Sequence, residues 1–178
     1  MKNSGAPYVT ACPVGCAAAL TDSGIVLREG PLRRCAACGQ LISSATEAQY
    51  LHSLGRFDHT TGTLPDARSQ SRHDQNTARR LGKLAAALER APASIRLLDV
   101  GCSSGAFLLT ARRLGFQAEG VEPSADAART ARAAGLTVFT GYLEQARFPD
   151  AAFDAITLIE IVEHLRDAAA LLRECTRI

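Results

Sequence analysis

Three groups of residues in this 178-residue chain have types and spacings that can do chemistry. The first is made of thiols. Cys12-Pro-Val-Gly-Cys16 and Cys35-Ala-Ala-Cys38-Gly39 form two pairs separated by eighteen residues. Four thiolates on two short loops are the donor set of a tetrahedral zinc site. Four sulfurs leave no open position, so such a metal is structural. The first pair is C-x3-C, where C-x2-C is commoner, and Gly15 stands where the second cysteine usually is. Unrelated reduced thiols in a loose N-terminus are the alternative. The second group is Asp99-Val-Gly101-Cys102-Ser103-Ser104-Gly105, followed seventeen residues later by Glu122. Glycines at 101 and 105 allow a tight turn and let a ligand approach bare backbone. A carboxylate at the end of the next strand can take both hydroxyls of a ribose. The third is Glu160-Ile-Val-Glu163-His164, two carboxylates beside a base that titrates near neutrality.

The elements that must position these groups are legible around them. Ile95 to Val100 reads as a strand covered on both faces, and Phe107 to Leu114 as the helix that points its N-terminal amides at the glycine turn. Gln117 to Glu122 is a second strand, Ser124 caps a helix from Ala125 to Ala134, and Leu136 to Thr140 is a third strand. Phe153 to Ile159 is a fourth buried strand, and Asp167 caps a last helix, Ala168 to Arg177. Strand-helix alternation predicts an α/β fold with a parallel, doubly wound sheet. Ahead of it, Ser71 to Arg90 is an amphipathic helix with Leu81, Leu84, Ala85 and Leu88 on one stripe. Residues 41–70 read as a linker in which Tyr50, Leu51, Leu54 and Phe57 form a short helix. In the N-terminal module, residues 1–40, Ile25 to Leu27 and Pro31 to Arg34 are the strands of a hairpin turned at Glu29-Gly30.

The glycine spacing separates two ligand classes. A dinucleotide turn wants G-x-G-x-x-G, whereas here the positions of interest hold Ser103 and Ala106. The order D-x-G-C-x-x-G, G-V-E-P-S, F-P-D-x-x-F-D-x-I-x-L, E-x-x-E-H-L resembles the class I S-adenosylmethionine-dependent methyltransferases of the small-molecule, ubiquinone-biosynthesis type over residues 95–178. With two cysteine knuckles in front, the chain is similar to members that carry an N-terminal zinc-binding domain, including certain sugar C-methyltransferases. The resemblance implies a Rossmann-like domain over residues 71–178 that transfers a methyl group to a sugar, polyketide or quinone-like acceptor. It implies Asp99, Gly101, Cys102, Ser103 and Gly105 around the methionine part of the cofactor, and Glu122 on the ribose. Many relatives hold the adenine amino group with an acid where this chain has Tyr142; a phenol there can stack on the purine or donate to it. Leu143 would offer its backbone N–H to the ring, and Glu160 would lie over the methionine end. His164 is then the expected base, with Glu160 a weaker candidate; a histidine that only caps or packs at the helix entrance is an equal alternative. Zn2+ is expected on Cys12, Cys16, Cys35 and Cys38. In that family the last helix leads to further strands, so the sheet is expected to be incomplete at its C-terminal side, with the fourth strand as an uncovered edge and no methyl transfer by the chain alone.

Composition narrows the rivals. Eleven Lys/Arg against seven Asp/Glu precede Ile95, and nine against eleven follow, with no basic cluster to steer nucleic acid. Aromatics make up 5% and there is no Trp, which disfavours a zinc-ribbon rRNA methyltransferase that stacks bases. A non-catalytic cofactor-binding or interaction protein stays open. No secretion signal or run of 18 apolar residues is visible, so the expectation is a cytoplasmic protein without a membrane partner. Cys102 and Cys175 read as core thiols.

Overall fold

A computed structural model describes residues 5–27, 30–55, 63–64, 66–165 and 168–178. It groups into two units, Met1–Phe57 with His164–Leu172, and Asp58–Glu163 with Arg173–Ile178.

In the first unit, β1 (Leu20–Leu27), β2 (Gly30–Cys35) and β3 (Leu41–Ser43) form an antiparallel sheet in that order. The hairpin is the expected one, but its register slips between Asp22 and Val26. The slack is taken up locally: Gly24 N–H donates to Asp22 Oδ1 (3.0 Å) and Ser23 Oγ to the Leu32 carbonyl (2.7 Å). The sheet does not stop at residue 40. β3 and α1 (Glu47–Gly55) occupy the stretch read as linker, so the unit extends beyond its cysteines. A three-residue strand with one buried side chain, Ile42, carries almost no periodic signal, which is why it reads as loop. The predicted short helix is α1; its expected member Phe57 lies outside the described residues.

In the second unit, α2 (Ala67–Ala87) begins four residues before the predicted Ser71, because Asp66 accepts the Ser69 N–H (2.8 Å) and caps it there. It ends before Arg90, where Glu89 takes φ 51°. A parallel four-stranded sheet follows, in spatial order β6 (Val138–Thr140), β5 (Gln117–Glu122), β4 (Arg96–Val100), β7 (Ala155–Thr157). Helices α3 (Ala106–Arg113) and α4 (Ala125–Ala133) make the crossovers, and α5 (Leu143–Ala146) is a single turn; α6 is Ala168–Arg177 as predicted, its residues up to Leu172 grouped with the first unit and the rest with the second. The cap expected at Asp167 lies outside the described residues. Leu97, Leu98, Leu108 and Ala111 are fully buried at the centre, and Leu81 of α2 is nearly so. From β4 the chain winds one way through β5 to β6, then crosses to β7 on the other side. That reversal opens the crevice at the carboxyl ends of β4 and β7 where ligands of such sheets bind.

The fourth strand differs from the expectation. It is three residues long and half-buried, pairing Ala155, Ile156 and Thr157 with Leu97, Leu98 and Asp99. Among the described residues β7 pairs with β4 alone, so its apolar sequence is covered on one edge only. Among the described residues no helix is long and apolar enough to cross a membrane.

Candidate functional site

The glycine turn is built by the strands beside it. Gly101 and Cys102 both donate their N–H to the Val121 carbonyl (2.8 and 3.1 Å), which continues the β4–β5 ladder past its last pair and fixes the turn on β5. Gly101, Ser103 and Gly105 take φ 75°, 51° and 89°, three left-handed residues within five. Glycine accepts this at no steric cost, while Ser103 stands in that region without being glycine. Packing adds to this at Gly101: a Cβ there would meet Cδ1 of Ile161, the end of a side chain that closes over the turn from the segment after β7 and would have to move aside. Beneath, a Cβ on Gly120 would lie 2.5 Å from Cys102 Sγ, so β5 is bare where the turn rests on it. Cys102 is therefore a packing thiol, and burial pushes its pKa far up.

Glu122, at the end of β5, is 7% exposed and fully oriented. Its Oε2 accepts the Ser103 N–H and its Oε1 the Ser124 N–H, both at 2.8 Å. Each oxygen keeps a second lone pair, so a vicinal diol can be bound by a carboxylate that already has its final geometry. Asp99 is buried under the turn, and Thr157 Oγ1 donates to its Oδ1 (2.7 Å). Burial, opposed by the Thr157 hydrogen bond and reinforced by the Glu122 charge, pushes Asp99 up to about 7. The far wall is α5 with the turn before it: Gly141 N–H donates to the Glu122 carbonyl (3.0 Å), Leu143 is buried, and Tyr142 is 61% exposed. Ser104 Oγ reaches back to the Thr63 carbonyl (3.1 Å), tying the segment before α2 to the turn.

Of the predicted residues, Asp99, Gly101, Cys102, Ser103, Gly105 and Glu122 converge. Tyr142 and Leu143 follow Gly141, which is bonded to β5. Glu160 is exposed at φ 55°, one residue before the Ile161 that covers Gly101. His164 closes the short turn Val162–His164, is half-buried, and belongs to the other unit. Thr157 and Ile161 were not singled out by sequence. A lone hydroxyl in the apolar run Ala155-Ile-Thr-Leu-Ile159 was the only signal for Thr157.

In the first unit the four predicted cysteines come together, with their Sγ atoms all within 4.8 Å of one another and Cys12 and Cys38 3.6 Å apart. Four sulfurs about 2.3 Å from one zinc would be separated by roughly 3.8 Å, so the cluster matches the metal's size. The longer first loop closes because Gly15, at φ 88°, donates its N–H back to the Cys12 carbonyl (3.0 Å). Backbone N–H groups of Cys38 and Ala37 aimed at Cys35 lower that thiol to about 7. Hydrogen bonding to Cys38 and the other thiols pushes Cys16 up to about 12. Among the described residues of 5–55, the buried hydrophobic side chains are Cys12, Cys35 and Ile42, so two thiols of the cluster stand among the buried groups of this module.

The methyltransferase-domain family matches residues 71–178, more than half the chain. The chain belongs to that family. A ubiquinone biosynthesis O-methyltransferase of Xanthomonas oryzae pv. oryzae is 35% identical over 106 residues, covering 56% of this chain and 44% of that protein. Another, from Alkalilimnicola ehrlichii, is 30% identical over 136 residues, covering 71% and 54%. The methyltransferase chain thus spans about half the length of the curated relatives it matches. The crystal structure of magnesium protoporphyrin IX methyltransferase from Synechocystis PCC 6803 with bound SAM aligns with a TM-score of 0.52 at 16% identity, covering 75% of this chain and 73% of that one. At that identity the likeness is one of fold: the sheet is the Rossmann-like sheet of class I methyltransferases.

Proposed function

We propose that this methyltransferase domain binds S-adenosylmethionine in the turn between β4 and α3 and transfers its methyl group to a small-molecule acceptor. The observation that carries the reading is Glu122, whose two oxygens are each aligned by a backbone N–H beside the bare Gly101 turn. The donor set fits the group. Two buried carboxylates, Asp99 and Glu122, would repel a pyrophosphate but suit a ligand bearing sulfonium and ammonium charge. When bound, the cofactor supplies a methyl group already activated by its sulfonium. The protein's task is then alignment, worth ~7–11 kcal/mol at best, and removal of one proton from the acceptor. Glu122 takes the ribose hydroxyls, Tyr142 meets the adenine, and the Leu143 N–H addresses its ring. Glu160 lies at the methionine end and His164 takes the acceptor's proton. The named role of the Xanthomonas relative puts O-methylation of quinone-like phenols first in an acceptor panel, ahead of sugars and polyketides.

Calorimetry with SAM tests the cofactor, and methyl transfer to that panel tests the reaction. Binding weakened by roughly ten-fold or more in Glu122→Ala supports the site, whereas affinity indifferent to that change removes it. Where methyl transfer is measurable, in an enzyme extended by the further strands, His164→Gln should lower kcat and leave SAM affinity alone. We further propose one structural Zn2+ on Cys12, Cys16, Cys35 and Cys38, supported by their shared 4.8 Å sphere.

A further inference from the structure

Asp99 and Thr157 face each other in register across β4 and β7. The Thr157 hydroxyl has one proton and two acceptors within reach, Asp99 Oδ1 at 2.7 Å and the Leu98 carbonyl at 3.4 Å. An ionised Asp99 takes that proton. A protonated Asp99 instead donates to the Thr157 oxygen, and the hydroxyl proton turns to Leu98. Both states are satisfied by rotation about one bond, without moving the strands. We propose that Thr157 is a positioning residue of this site, its hydroxyl holding Asp99 as the carboxylate that a cationic ligand requires and releasing it to the protonated form when the site is empty.

The surroundings make the choice close. Asp99 is 3% exposed, and among the described residues it forms no ion pair. The titratable groups acting on or with it are Glu122 from β5, which opposes its ionisation, and the Cys102 thiol of the turn, which burial keeps protonated. Desolvation and the Glu122 charge thus push toward the neutral acid, and the Thr157 hydrogen bond pulls toward the anion. A ligand with net positive charge beside the turn adds to the pull, so its binding expels a proton. This coupling rests on the cofactor reading above, while the Thr157–Asp99 linkage does not.

The two are separated by two measurements on the full chain. The first is an NMR titration of the 13C-labelled Asp99 carboxyl without ligand, assigned by Asp99→Asn. The wild-type midpoint is expected at about 7. Thr157→Val, nearly isosteric but without the rotor, should raise it by about one pH unit, and Thr157→Ser should restore it. The second is calorimetry with SAM from pH 5.5 to 8.5 in buffers of different ionisation enthalpy. The wild type should release a proton on binding near neutrality, and Thr157→Val should bind several-fold more weakly at pH 7 and converge on wild type as pH rises. A midpoint untouched by Thr157→Val, or an affinity loss equal at every pH, overturns the proposal alone. Absence of SAM binding by the wild type at every pH overturns the cofactor reading and the coupling built on it, and the titration still decides Thr157.

Discussion

Glu122 and Asp99 are buried carboxylates near the ends of neighbouring strands, and they differ in their hydrogen bonds. Two main-chain N–H groups serve Glu122, whereas Asp99 has one hydroxyl and a dry environment. Loss of the Glu122 acceptor should therefore cost ~1.5–3 kcal/mol of SAM affinity in Glu122→Ala, read by calorimetry. Gly101→Val should abolish binding, since a β-branched residue is strained at φ 75° and its side chain would also displace Ile161. Asp99 leaves a mark on stability. Its folded pKa, about 7, lies above the usual 3.8, so between these values the native state holds the extra proton. Its contribution is then full below pH 4 and lost as pH rises through 7. Asp99→Asn abolishes this dependence, so the melting temperature of the variant relative to wild type, without ligand, should be higher at pH 8 than at pH 5.

Among the elements, β7 is the one whose position depends on few groups. It is three residues long, and its approach to β4 is pinned just before it starts by Asp154. That carboxylate accepts the Arg96 backbone N–H (2.8 Å) and Nε (3.1 Å), and Arg90 Nη1 lies at 2.9 Å. These partners, Arg96 first, hold Asp154 well below the usual carboxylate range. Its contribution is present above the ordinary value and lost only as pH falls through the depressed one. Asp154→Ala should lower the urea midpoint at pH 7 with the slope unchanged, and the deficit should shrink toward strongly acid pH. On the other side of β4, Gly120→Ala would drive a methyl into Cys102 and Leu108. A cost of about 1–3 kcal/mol is expected, with cofactor affinity falling as the turn is lifted.

At the scale of the molecule, the two units have different kinds of core. The parallel sheet buries leucines, alanines and phenylalanines on both faces, whereas in the N-terminal module Ile25, Val26 and Leu27 are exposed and the buried apolar side chains described are Cys12, Cys35 and Ile42. Metal binding should therefore be folding energy for the first unit. About one zinc per chain is expected by elemental analysis. Chelation or Cys35→Ser should raise amide exchange across β1 to β3, and acidification should release the metal as thiolates take protons. A metal-free protein whose hairpin amides are equally protected with and without zinc would refute this.

What the sequence by itself determined is whatever depends on local chemistry or on short periods. The glycine turn, the strand-end Glu122, the Ser124 cap and the paired cysteines are each written within a few residues. The alternation of apolar runs and amphipathic helices was enough for a parallel α/β sheet. Tertiary structure decided the rest, because it depends on partners distant in sequence. The length of β7 follows from how far β4 can pair with it, not from the apolar run Phe153 to Ile159. β3 exists because β2 offers it an edge, and α2 starts at Asp66 because that carboxylate finds the Ser69 amide. Thr157 opposes Asp99 from 58 residues away, a register that no spacing in the chain announces. The charge on Asp99 depends on burial first, then on the Thr157 hydroxyl and on Glu122 of the neighbouring strand, and all three are brought together by the fold.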